Sequence, residues 1–97
     1  MLSSKQRAKL RALANGIDTI LYVGKGEIGE AIVKQASDAL EARELIKGRV
    51  LENSPYTARE AAQLLAEAAQ AEPVQVIGNR FVLYRRNKKD PKIVLED

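Results

Sequence analysis

The chain has no cysteine, no histidine and no tryptophan among its 97 residues. Without cysteine there is no disulfide framework and no thiolate metal site. Without histidine the commonest general base, proton shuttle and metal ligand is gone. Ser3, Ser4, Ser37 and Ser54 have no imidazole to activate them as nucleophiles. The carboxylates are scattered, so no metal site, no cofactor and no catalytic residue is expected. The aromatic residues are Tyr22, Tyr56, Phe81 and Tyr84. Four are thin for a base-stacking platform, which needs clustered surface rings; Phe81 and Tyr84 are expected in the core or at its rim. No apolar run reaches membrane-spanning length, and the N-terminus lacks the apolar segment of a signal peptide. The expectation is a cytoplasmic protein with no membrane partner.

What is present is one globular domain's worth of chain, 45% apolar and 30% charged, enough for a modest core. The net charge is +3, and its distribution says more than its size. Lys5, Arg7, Lys9 and Arg11 come without an acid between them. Arg80, Arg85, Arg86, Lys88, Lys89 and Lys92 stand against Asp90 alone. The stretch from Glu27 to Glu44 is net acidic. Basic ends around an acidic middle predict a polarised surface, suited to a polyanion on one side.

Local patterns divide the chain into seven elements. Ser3 and Gln6 form a capping box for a helix running to about Ala14, where Asn15-Gly16 stops it. Leu10, Leu13 and Ala14 make its apolar face. Asp18 to Val23 reads as a strand, and Glu27 to about Ala42 as a helix burying Ile28, Ile32, Ala36, Ala39 and Leu40. Leu45 to Leu51 reads as a second strand, with Lys47 and Arg49 on one face and Gly48 marking a bulge or a close approach. Thr57 and Glu60 form a second capping box; the helix runs to about Ala71, with Ala61, Leu64, Leu65 and Ala68 inward. Val74 to Ile77 and Arg80 to Arg85 flank Gly78-Asn79, a hairpin with a primed turn. The order is α-β-α-β-α-β-β, an α/β (α+β) domain with a mixed four-stranded sheet. Residues 1–86 form the domain, and residues 87–97 read as a charged, loose tail.

The chain is organised around Tyr22-Val23-Gly24-Lys25-Gly26-Glu27-Ile28-Gly29-Glu30, a strand stopping at a glycine-rich loop before a helix. Such a junction offers backbone N–H groups and a positive dipole end to a phosphate. Gly24, Gly26 and Gly29 match the G-x-G-x-x-G spacing of dinucleotide sites, with Glu52 after the next strand. Four strands are too few for the two halves that fold requires, and no catalytic group accompanies the loop. The other reading is a backbone clamp on RNA, with glycine allowing close approach and Lys25 supplying the charge.

Val23-Gly24-Lys25-Gly26 before a helix, Leu40-Glu41-Ala42-Arg43-Glu44-Leu45-Ile46-Lys47, and the run from Val74 to Arg85 together resemble the bacterial YhbY-like proteins. These are stand-alone forms of the chloroplast RNA splicing and ribosome maturation (CRM) domain. The likeness runs from Leu2 to about Arg86. It implies a fold like the C-terminal domain of translation initiation factor three, RNA binding, association with precursors of the large ribosomal subunit, and no enzymatic activity. The family loop is usually Gly-Lys-x-Gly. Here Gly24, Lys25 and Gly26 are followed by Glu27 where the second glycine is expected. Either Glu27 competes with phosphate for the loop's N–H groups, or Gly26-Glu27-Ile28-Gly29 acts as the motif shifted by two.

The resulting expectation is an RNA-binding protein, with ribosomal RNA as partner and no small-molecule substrate. Its contacts are expected from Lys5, Arg7, Lys9, Arg11, Gly24, Lys25, Gly26, Lys47, Arg49, Arg85 and Arg86. A non-enzymatic protein–protein adaptor in ribosome assembly is the alternative, with a small nucleotide-binding protein behind it.

Overall fold

A computed structural model of the chain describes residues 2–95. The seven expected elements are present: α1 (Ser4–Ala14), β1 (Thr19–Val23), α2 (Glu30–Arg43), β2 (Leu45–Val50), α3 (Ala58–Ala69), β3 (Glu72–Ile77) and β4 (Arg80–Tyr84). They form a four-stranded sheet in the order β1-β2-β4-β3. β1 and β2 are parallel, and β4 pairs antiparallel with both β2 and β3.

Both capping boxes close. The Gln6 amide donates to Ser3 Oγ at 3.1 Å and the Ser3 amide to Gln6 Oε1 at 3.0 Å. Glu60 and Thr57 repeat the exchange at 3.1 and 2.9 Å. Each box satisfies two N–H groups that a helix start leaves open.

The sheet has a core on each side. On one, α2 and α3 cover Leu21, Val23, Ile46, Val50, Phe81 and Leu83. On the other, Leu10 and Ala14 of α1 pack on Leu45, Val74, Val82 and Tyr84, with Ile93 and Leu95 beside them. Gly48 lies under the Phe81 ring: a Cβ there would sit 2.3 Å from Phe81 Cζ. The expected close approach is therefore the core's own, and no larger residue fits. Phe81 and Tyr84 are buried as expected. The hairpin turn has its positive φ, 58°, at Gly78, the glycine-first arrangement of a primed turn.

Several details differ from the sequence reading. α2 begins at Glu30, with Gly29 as N-cap, and not at Glu27. Glycine is a poor helix former, and Gly26 and Gly29 together keep this segment out of the helix. α3 buries Ala58, Ala61, Ala62, Leu65, Ala66 and Ala69. Leu64 and Ala68 face outward instead, because the alanine stripe sets the phase of the helix. The helix ends at Ala69, and Gln70 takes the left-handed cap conformation, ahead of Glu72-Pro73. Leu13 is likewise exposed. α1 ends without a left-handed glycine: Asn15 is in the right-handed region, and the Gly16 amide donates to the Leu13 carbonyl at 3.1 Å.

The segment after β4 is tied down by one residue. Glu44 has no exposed surface, and its φ is 65°. Its carboxylate accepts the backbone N–H groups of Asn87, Lys92 and Ile93, each at 2.7 Å. Burial alone would push this carboxyl up; the three N–H groups and the charge of Lys92 outweigh it and hold the group below the usual carboxylate range. Asn87 also donates its side-chain amide to the Glu41 carbonyl at 3.0 Å. The reading of residues 87–97 as a loose tail did not anticipate these bonds; the last two residues of that span lie outside the described residues.

Candidate nucleic-acid interface

The glycine loop, residues 24–29, leaves the carboxyl end of β1. Its base is fixed by the Leu51 amide, which donates to the Val23 carbonyl at 2.9 Å, and by Leu51 Cδ1, 3.7 Å from where a Gly24 Cβ would stand. Beyond that point Gly26 and Gly29 stand in open space. Neither Gly26 nor Gly29 has an atom within 4 Å of a built Cβ, and neither has a positive φ. Neither crowding nor a left-handed backbone therefore demands glycine at 26 or 29. What glycine provides there is access to the main chain from outside. Lys25 and Glu27 are both exposed. Glu27 lies three residues before the first helical residue, and no side chain caps α2.

β1 is an edge strand. A dinucleotide site lies where strand order reverses, with its first strand inside the sheet. The G-x-G-x-x-G spacing here lacks that setting. Among the described residues no group of three or more metal-type ligands is found, and no helix is long and apolar enough to cross a membrane.

The cations divide sharply. Arg85 is half-buried and clamps three elements. Its Nη1 donates to Ser37 Oγ at 3.0 Å and to the Ala69 carbonyl at 2.8 Å. Its Nη2 donates to the Ser37 carbonyl at 2.8 Å and to Glu41 Oε2 at 3.2 Å. With its fork filled, Arg85 is a structural residue here rather than the RNA contact expected. Arg7 donates to the carbonyls of Pro73 and Val74, and Lys9 to the carbonyl of Val94. These two fasten α1 to β3 and to the C-terminal segment, bonds that the sequence reading did not anticipate.

Lys5, Arg11, Lys25, Lys47 and Arg49, by contrast, make no hydrogen bond or ion pair among the described residues. Lys47 and Arg49 project on the α1 side of the sheet, since their neighbours Ile46 and Val50 face α2 and α3. Arg86 is exposed just past β4. On the opposite side, α2 and α3 carry Glu30, Asp38, Glu41, Glu60 and Glu67 against Lys34, Arg43 and Arg59. The expected polarity is thus a polarity between the two sides of one sheet. Arg80 belongs with the free cations. It is exposed and lies opposite Arg49. The sequence places it in a basic run but gives no reason to single it out; strand register supplies that reason.

A family model for the CRS1/YhbY (CRM) domain matches residues 2–85. The Bacillus subtilis protein named "Probable RNA-binding protein YqeI" is 41% identical over 95 residues, covering 98% of this chain and 99% of its own. A Haemophilus influenzae protein named "RNA-binding protein" is 30% identical over 88 residues, covering 91% and 89%. The solution structure of SAV1595 from Staphylococcus aureus superposes with a TM-score of 0.81 at 48% identity, over 99% of this chain and all of that one. With a family match across nearly its full length and the same fold in a close relative, this chain belongs to the CRS1/YhbY (CRM) domain family.

Proposed function

We propose that the protein binds RNA through the glycine loop and the basic side of its sheet, carries out no reaction, and acts in the cytoplasm on ribosomal RNA of large-subunit precursors, assisting their maturation. The observation that carries the reading is the division of the cations. Arg7, Lys9 and Arg85 are hydrogen-bonded within the fold, while Lys25 on the glycine loop and Lys47 and Arg49 on β2 have no protein partner among the described residues. Free cations around an accessible main chain suit the sugar-phosphate backbone, which supplies most nucleic-acid affinity. The names of the relatives from Bacillus subtilis and Haemophilus influenzae point the same way.

The test is sedimentation of cell lysate on a sucrose gradient, with wild type beside Lys25→Ala. Wild type should travel with large-subunit precursors and the variant should shift toward the top. Wild type remaining at the top in low salt would overturn the ribosomal part of the proposal. Loss of binding to purified RNA at every salt concentration would overturn the RNA part.

A further inference from the structure

Strand register gathers four residues that the sequence scatters over 59 positions. Tyr22 of β1 is opposite Arg49 of β2, Arg49 is opposite Arg80 of β4, and Arg80 is opposite Ile77 of β3. Residues paired in this way share a face, here the α1 side. The row crosses the whole sheet, about 14 Å at the usual strand spacing. α1 packs on the other end of this face, at Leu45, Val74, Val82 and Tyr84, and leaves the row open. Tyr22 is 51% exposed and Ile77 64%, and both arginines are exposed.

Two features of the row make poor sense for the isolated fold. Arg49 and Arg80 are like charges directly opposite each other, an arrangement that destabilises a sheet, and no carboxylate pairs with either among the described residues. An anion lying between them would relieve the repulsion. Beside them, Tyr22 leaves half its surface in water. Its hydroxyl donates to the Thr19 carbonyl at 3.3 Å, which holds the ring along its own strand. Lys25 is three residues further on, within about 11 Å of chain.

We propose that this row is a stacking platform for single-stranded RNA built on one ring, Tyr22, and two arginines, in place of the clustered rings that the chain lacks. Tyr22 takes the face of one base, and Arg49 and Arg80 hold the phosphates that follow, continuing the path from Lys25. This rests on the RNA reading above and specifies the form of the ligand: an unpaired segment of two or three nucleotides. Single-stranded RNA matches the row because its bases can be splayed onto a ring while its phosphates meet the cations. A duplex hides its base faces. An acidic peptide would satisfy the arginines but leave the ring without a role.

The experiment is fluorescence anisotropy with a labelled single-stranded RNA octamer, and with the same octamer annealed to its complement, over a salt series. The proteins are wild type, Tyr22→Leu, Tyr22→Phe, Arg49→Gln/Arg80→Gln and Lys25→Ala, each first shown by thermal melting to be folded. The expected result is tighter binding of the single strand than of the duplex by wild type. Tyr22→Leu should lose about ten-fold for the single strand with an unchanged salt slope, and Tyr22→Phe should stay within about two-fold of wild type. The double arginine variant should flatten the slope of log affinity against log salt by about 1.4, two phosphates at ~0.7 each. If Tyr22→Leu binds the single strand as wild type does while Lys25→Ala still weakens it, the platform is overturned and RNA binding stands. Duplex bound as tightly as single strand overturns the platform as well. If wild type binds neither RNA at low salt, the platform and the RNA reading fall together.

Discussion

The two ends of the sheet face beneath α1 use the same kinds of residue for opposite purposes. At the closed end, Arg7 and Lys9 reach backbone carbonyls, and Arg85 behind it fills its fork with Ser37, Ala69 and Glu41. At the open end, Arg49, Arg80 and Lys25 reach nothing in the protein among the described residues. A cation with protein acceptors already at hydrogen-bond distance has little left to offer a phosphate; one held on a strand without a partner keeps its donors for a ligand. Counting basic residues therefore says little about an interface until their acceptors are known.

The comparison can be broken by changes at either end. The largest effect is expected from Glu44→Ala at the closed end. It strips a buried acceptor from three backbone N–H groups and should destabilise the fold by about 3 kcal/mol in urea melts. The folded protein should keep wild-type RNA affinity. Acid should act through the same residue. Its folded carboxyl lies below the ordinary value, so its contribution is complete above the unfolded pKa, near 4.3. That contribution is lost as pH falls through the folded value. Stability measured from pH 6 down to pH 3 should drop more steeply in wild type than in Glu44→Gln; parallel curves would show that Glu44 is not the group responsible.

A second change at the closed end, Arg85→Ala, should cost about 2 kcal/mol and leave the salt slope of RNA binding where it was. A fall in that slope with stability unchanged would return Arg85 to the interface. Lys25→Ala should do the reverse. Stability should stay within about 0.5 kcal/mol, while the salt slope should drop by about 0.7–0.9 for one lost phosphate. The smallest effect is expected from Glu27→Gly. Removing an exposed negative charge from the loop should tighten RNA binding about two-fold at low salt, an effect that fades as salt screens it. Unchanged or weaker binding would mean that Glu27 does not oppose phosphate.

Much of the fold was legible because its signals are local. The capping boxes at Ser3 and Thr57 need residues three apart, and the Gly78-Asn79 turn needs two neighbours. Gly48 announced a close approach without saying to what; the answer, Phe81, is 33 residues away and arrives through the β2–β4 register. The phase of α3 misled because Leu64 and Leu65 look alike in the sequence, whereas the alanines at 58, 61, 62, 66 and 69 decide which of them turns inward. In the candidate interface, Lys25 and its glycines were visible as a motif, and Lys47 and Arg49 as alternate residues of one strand. Arg7, Lys9 and Arg85 looked equivalent to them, because the acceptors that occupy them are 16 to 85 residues away.

The sequence by itself determined the order of elements, the helix starts marked by capping boxes, the hairpin, the glycine loop and the family, since each rests on residue types at short fixed spacings. Tertiary structure alone decided which cations are free, where the C-terminal segment lies, and that Tyr22, Arg49, Arg80 and Ile77 form one open row. Those outcomes depend on strand order and register, which are set by how α1, α2 and α3 cover the two faces of the sheet, and no short spacing in the chain encodes them.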